Sequence, residues 1–224
     1  MSQQSQEAHT GHKPPIAKVR QLNRGVGRPA STDPKGDQLN ELIVAAAGQD
    51  YADNGYHGGS VANILAISGV SRPTFYRQFK SRREVLDIVI GRVNDKLREI
   101  VTEKVERQNC LEKIVDAAID AYFEWAQLCT PLVGPIYHEI NDPASPAHEH
   151  RSRIVAELTE LFEATLISLG HPPSDPLLYE ALLHVVEQTG HSAFWPEMKS
   201  QPEIRKRRQL ISRILIASLA VTEK

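Results

Sequence analysis

The chain has 224 residues, of which 41% are hydrophobic and 24% charged, with a formal net charge of −2. That length holds one large domain, or a small one joined to a larger, and the near-neutral balance excludes a whole-molecule polyanion binder, so any positive surface must be local. The two cysteines, Cys110 and Cys129, are too few and too far apart for a zinc pair and read as buried thiols of a reducing cytosol; the apolar run Leu210 to Val221 is interrupted by Ser212 and Arg213, so no membrane span is expected.

In chain order, the segment to about Thr32 is rich in Gln, Ser, Gly, Pro and base and lacks apolar periodicity. It is predicted to be disordered when free, and since Met1 is not followed by an apolar run, no secretory signal is expected. Before Asp37, six cations (Lys13, Lys18, Arg20, Arg24, Arg28 and Lys35) face only Glu7 and Asp33. Within Arg24-Gly25-Val26-Gly27-Arg28-Pro29 the glycines allow close backbone approach, so an extended arm can lay Arg28 in a minor groove; a solvated basic linker is the alternative.

Leu39, Leu42, Ile43, Ala46 and Ala47 make the stripe of a first helix that ends near Tyr51-Ala52-Asp53-Asn54-Gly55-Tyr56. Ser60 then caps a short second helix, in which Val61, Ile64 and Leu65 recur at helical spacing, and Gly69 closes it in a left-handed conformation with Val70 folding back. Ser71 caps a third helix of about two turns, with Pro73 in its first turn, where a missing N–H costs little. So short a helix must be held by packing, and Phe75 and Phe79 are its anchors. The side chains left outside are Arg72, Pro73, Thr74, Tyr76 and Arg77, and Arg72, Arg77, Lys80, Arg82 and Arg83 form a cationic run suited to phosphates. A capped turn, an aromatic anchor and a basic outer face together are the pattern of a helix-turn-helix over about residues 60 to 79.

The run from Gly69 to Glu84 (GVSRPTFYRQFKSRRE), with the Tyr51 to Tyr56 ending upstream, resembles the DNA-binding signature of the TetR family of transcriptional regulators over about residues 37 to 97. The resemblance implies an all-α fold: a basic arm (1–32), an N-terminal three-helix DNA-binding domain (33–90), a long fourth helix, and a C-terminal helical bundle for dimerisation and effector binding (91–224). It implies that Ser71 and Lys80 hold phosphates and that Arg72, Pro73, Thr74, Tyr76 and Arg77 face the major groove, with Ser60 joining the DNA-facing set and Arg28 supplying the arm. The chemistry agrees, since Arg suits guanine and Thr and Pro suit a thymine methyl. The chain departs from the pattern in helix 2, where Ala62-Asn63 replaces the common Arg-Asp and Leu65 a small Ala.

Farther along, Ser81 and Glu84 form a capping box that opens the long fourth helix, striped by Val85, Leu86, Val89, Val93, Leu97, Ile100 and Val101 to about Glu106. Leu111 to Trp125 marks a fifth helix, Pro131 and Pro135 bracket a short kinked sixth ending near Ile140, and Asn141 to Pro146 reads as a loop. Ile154 to Leu169 makes a seventh, stopped at Gly170. Asp175-Pro176 caps an eighth that runs through Phe194 to Pro196, and Ile204 to Val221 makes a ninth. By the resemblance, the eighth and ninth helices pair across a two-fold axis, giving a homodimer on an inverted-repeat double-stranded DNA operator in the cytoplasm, most often as a ligand-responsive repressor.

Tyr122, Trp125, Cys129 and Tyr137 gather at the junction of the fifth and sixth helices, where a pocket for an unidentified small-molecule effector would lie. An aromatic group at helical spacing also reads as plain core. No cofactor is expected; His184, Glu187 and His191 share a helix face but suit an interface as well as a metal, so none is assigned. Two rival classes share parts of this pattern: an architectural DNA-binding protein without an effector, and an all-α enzyme using His and Glu. The second lacks a nucleophile elbow, a phosphate loop and a zinc-protease pair, and no catalytic residue is assigned.

Overall fold

The computed structural model describes residues 34–191 and 200–220. Helix α1 (Pro34–Gly58) buries Ile43, Val44, Ala46, Ala47 and Tyr51, and its helical path breaks at Gly55, whose φ of 67° a side chain would resist. Helices α2 (Val61–Ser68) and α3 (Arg72–Gln78) follow. The expected caps are present: Ser60 Oγ accepts from the Asn63 N–H at 3.1 Å, Gly69 sits at φ 70° and donates to the Leu65 carbonyl, and Ser71 Oγ accepts from the Thr74 N–H at 3.3 Å.

Helix α4 (Arg82–Val105) is the spine of the molecule, packing on α1 and also on α5 (Leu111–Leu128) and α7 (Pro146–Ser168). Ser81 Oγ accepts from the Glu84 N–H at 3.2 Å, but the capping box closes one residue early, because the Glu84 carboxylate takes the N–H of Lys80 at 2.6 Å. The Trp125 indole N–H donates to the Val93 carbonyl at 2.8 Å and staples α5 to α4. Between α5 and α7 lies α6 (Thr130–Glu139), with Pro131 in its first turn. Pro135, inside the helix, has no N–H for the carbonyl four residues back. Helices α8 (Pro176–His191) and α9 (Gln201–Ala220) complete the bundle, and the described residues form helices and their connections, an all-α architecture.

Two sequence readings shift, and others fall on residues not described. Helix α7 starts at Pro146, two turns ahead of its apolar stripe, because Ser145 caps it while His148, Glu149 and Arg151 leave its first turns without periodicity. Cys110 is a half-buried N-cap residue of α5 and not a core thiol, whereas Cys129 is fully buried between α5 and α6, where burial pushes its thiol up to about 12. The arm with Arg28, the stretch holding Phe194 and Pro196, and Val221 lie outside the described residues.

Candidate nucleic-acid interface and effector cavity

Helix α3 is too short to stand alone, and two rings hold it down: Phe75 is 0% exposed and Phe79 2%, with their centroids 6.0 Å apart. That anchoring turns the other side outward. Ser71, Arg72, Pro73, Tyr76, Arg77 and Lys80 are all exposed, Thr74 is half-buried, and among the described residues Arg72, Arg77 and Lys80 have no acidic partner. The hydroxyls of Ser71 and Thr74 lie 2.8 Å apart and share a hydrogen bond, so both are positioned by the cap. Ser60, half-buried at the start of α2, is engaged through its Oγ and its N–H.

The cationic run divides at Ser81. Arg82 turns inward: its guanidinium meets Asp50 at 3.1 Å and donates to the carbonyls of Gly55 and Tyr56. Arg83 donates to the Ala144 carbonyl and to Glu149, both at 2.8 Å. Neither belongs with a phosphate-binding face, which corrects the reading of five cations as one patch. Asp50, fully buried, also accepts from Asn54, from the Asn63 amide at 2.8 Å and from the Ser60 N–H at 3.1 Å. A buried carboxylate costs heavily unless its lone pairs are filled, and here α1, α2 and α4 all contribute donors. Asn63, one of the residues that depart from the family pattern, is thus one of the groups locking the head. Gly59 makes room, since a Cβ there would lie 2.0 Å from the Arg82 guanidinium.

A second buried acid ties the head to the body. Glu139, the last residue of α6, accepts from the Tyr51 hydroxyl (2.7 Å), the Tyr56 N–H (2.6 Å) and the Ser145 hydroxyl (2.9 Å). Burial, reinforced by this carboxylate, raises the Tyr51 phenol above its ordinary value. Sequence reading passed over both acids. Asp50 had a signal: seven residues after Ile43, it falls on the buried face of α1.

Deep in the bundle, α4, α5, α7, α8 and α9 line a cavity of about 80 Å³ whose wall is almost entirely apolar, from Leu97, Ile114, Ile154, Leu158, Val186, Leu215 and their neighbours. Of the four residues expected to line a pocket, Tyr122 does so. Trp125 is the staple to α4, Cys129 is packed at the α5–α6 joint, and Tyr137 stands behind Tyr122, their hydroxyls 3.0 Å apart. The sequence placed the pocket one turn too far along α5. At the Tyr122 end the cavity meets Glu187, which is ion-paired with Arg151. Burial raises the Glu187 carboxyl, opposed by Arg151, and raises both tyrosine hydroxyls. Gly190 admits the Tyr122 ring, whose Cε1 would lie 2.4 Å from a Cβ at that position.

His184, Glu187 and His191 do not converge. His184 contacts the Glu180 carbonyl, Glu187 serves Arg151, and His191 stacks on Tyr137 at 4.2 Å; among the described residues no three such side chains are placed to hold a metal. No helix among them is long and apolar enough to cross a membrane.

Comparison with known proteins agrees with this geometry. The family model for bacterial regulatory proteins, tetR family, matches residues 43–89, from the buried face of α1 to the first turns of α4. The HTH-type transcriptional activator FasR of Mycolicibacterium smegmatis is 29% identical over 110 residues, covering 46% of this chain and 50% of that protein, so the match spans half the relative's length. A transcriptional regulator from Rhodococcus sp. Rha1 superposes with a TM-score of 0.65 at 19% identity, over 80% of this chain and 96% of that one. A TetR transcriptional regulator from Chloroflexus aurantiacus J-10-FL gives 0.66 at 18% identity, over 83% and 97%. The solved structures establish a shared fold, and the family match falls on the very helices whose caps, buried rings and outward cations are described above. Residues 43–89 are thus a DNA-binding domain of the bacterial tetR-family type, carried on a fold that the chain shares with solved transcriptional regulators.

Proposed function

We propose that the protein binds an inverted-repeat operator as a homodimer, and that a small molecule held in the bundle cavity lowers its DNA affinity, making it a ligand-responsive repressor acting in the cytoplasm. The observation that carries this is the division of α3 into a buried aromatic side and an exposed cationic one. Arg72, Thr74, Tyr76 and Arg77 then meet the major groove, with Ser60, Ser71 and Lys80 at phosphates and Pro73 against a base methyl. Arg28, on the arm outside the described residues, reaches the minor groove.

Dimerisation through α8 and α9 is supported by what these helices leave exposed. Leu177, Ala181, His184 and Gln188 line one face of α8, and Leu210, Arg213 and Ala217 one face of α9, with Leu177 66% exposed. Two-fold symmetry places two α3 helices one DNA turn apart. The effector acts by population shift: a ligand that prefers one packing of the bundle changes the setting of α4 and α6 against α1, and so the spacing of the heads. The cavity favours this over a purely architectural role.

A second reading, activation, is favoured by one observation, that the similar protein of M. smegmatis is named an activator. A duplex recovered by in vitro selection, used for footprinting and placed before a reporter, tests all of this. Two protected half-sites and reporter silencing are expected; reporter stimulation establishes activation, and absence of any selected sequence overturns the proposal.

A further inference from the structure

The head meets the bundle through α1, which packs on α4 and on α6. Inside the head, Asp50 ties the Ser60 N–H, Asn63 and Arg82 to α1, so α1, α2 and the first turn of α4 form one body. A single shared helix, α4, is an axle; a second attachment away from its axis fixes the angle. That attachment is the corner where α6 gives way to α7, and three links join it to the head. Glu139 accepts from the Tyr51 hydroxyl and the Tyr56 N–H, Asp142 meets the His57 imidazole at 2.5 Å, and Arg83 donates to the Ala144 carbonyl and to Glu149.

The three links are unequal. The side chains of His57 and Asp142 are 68% and 31% exposed and those of Arg83 and Glu149 34% and 61%, and exposed pairs contribute little. Glu139 is buried, and its bonds run to a charged acceptor away from water, where they are strongest. Glu139 also spans the break in α1. Its Oε2 takes Tyr51, before Gly55, and its Oε1 takes Tyr56, after it. The carboxylate is itself fixed, because Oε2 accepts from the hydroxyl of Ser145, the N-cap of α7. A Cβ at Gly55 would lie 2.9 Å from Oε1, so this approach needs the glycine. Beyond the break the chain runs to Ser60, α2 and α3, and the setting of the break is carried to the cationic helix.

We infer that Glu139 is a positioning residue: it sets the angle of each DNA-binding head against the bundle, and thereby the half-site spacing that the dimer accepts, without touching DNA. This rests on the homodimer and inverted repeat proposed above. One base pair shifts a half-site by about 3.4 Å along the duplex and about 35° around it. Heads pinned at the corner accept one spacing, and heads freed there accept several.

The test uses the full-length protein and fluorescence anisotropy on the selected duplex, on duplexes whose centre is one or two base pairs longer or shorter, and on a single half-site. Glu139→Ala is expected to reduce the preference for the selected spacing at least about fivefold, the lower end of ordinary coupling between sites, while single half-site affinity stays unchanged. Glu139→Gln is expected to keep the wild-type preference, since its carbonyl can accept the Tyr56 N–H while its NH₂ donates to the Tyr51 and Ser145 hydroxyls, which also accept. If Glu139→Ala does not fold, Tyr51→Phe removes one of the bonds and is expected to lower the same ratio by a smaller factor. An unchanged spacing preference in the folded variant overturns the inference, as does Glu139→Gln as permissive as Glu139→Ala. Equal loss on every spacing and on the single half-site marks a merely structural role and overturns it too. Wild-type protein that selects no paired half-sites overturns the dimer reading first and the inference with it, an outcome distinct from a wild type that selects one spacing and a variant that selects the same.

Discussion

The Tyr51 hydroxyl donates to the Glu139 carboxylate at 2.7 Å across 88 residues of sequence, joining the DNA-binding head to the last turn of α6. The same carboxylate receives the Tyr56 N–H beside Gly55, where α1 breaks. The end of α1 is thus held by a side chain of the body and not by its own cap. We expect Tyr51→Phe to lower the unfolding free energy by about 1.5 kcal/mol or more, the value of a hydrogen bond to a charged group, measured by urea denaturation.

The inward turn of Arg82 separates it from Arg77, five residues earlier, although both are arginines of one cationic run. Arg82→Ala leaves Asp50 buried without its guanidinium and is expected to cost about 3–5 kcal/mol of stability. Arg77→Ala touches nothing buried. It is expected to leave the melting temperature nearly unchanged while reducing specific DNA affinity by about 1–3 kcal/mol and relaxing preference at one position of each half-site. Calorimetry and anisotropy on the two variants give opposite patterns if this division holds.

Gly190 is where α8 yields to the Tyr122 ring. Since its Cβ would lie 2.4 Å from a ring carbon, Gly190→Ala must displace the tyrosine or the helix, at an expected cost of about 1–3 kcal/mol in thermal or chemical denaturation.

His150 is buried between α4 and α7 and lies 3.5 Å from Asp87. Burial first, then Arg153, holds its imidazole below the ordinary value, against the opposing pull of Asp87 and Glu149. The folded chain therefore keeps this histidine neutral at a pH where the unfolded chain protonates it. Stability present above the ordinary histidine value of about 6.5 is lost as pH falls through it toward the lower folded value. His191, lowered chiefly by burial, acts in the same direction. The urea midpoint is expected to drop from about pH 7 to about pH 5, and His150→Gln to flatten that slope.

Leu177 and Leu210 stand on the exposed faces of α8 and α9. If these faces meet across a two-fold axis, Leu177→Glu with Leu210→Glu buries two unpaired carboxylates per subunit. Sedimentation at micromolar concentration should then show the wild type as a dimer and the double variant as a monomer of unchanged helical content.

What could be read without coordinates is what short-range forces decide. Ser60, Ser71 and Ser81 cap their helices within three residues, Gly69 needs a left-handed turn that only its own backbone dictates, and Phe75 and Phe79 share a face because they are one turn apart. The outward cations of α3 follow from those rings. Tertiary packing alone decided which polar groups would pair: Arg82 with Asp50 across 32 residues, Arg151 with Glu187 across 36, and Tyr51 with Glu139 across 88. It also set the cavity not at the α5–α6 joint, where Trp125 and Cys129 are buried, but in the space between α4, α5, α7, α8 and α9. An aromatic or acidic residue at helical spacing announces that it is buried, but its partner and any gap beside it depend on where helices distant in sequence come to rest, and periodicity along one helix carries no record of that.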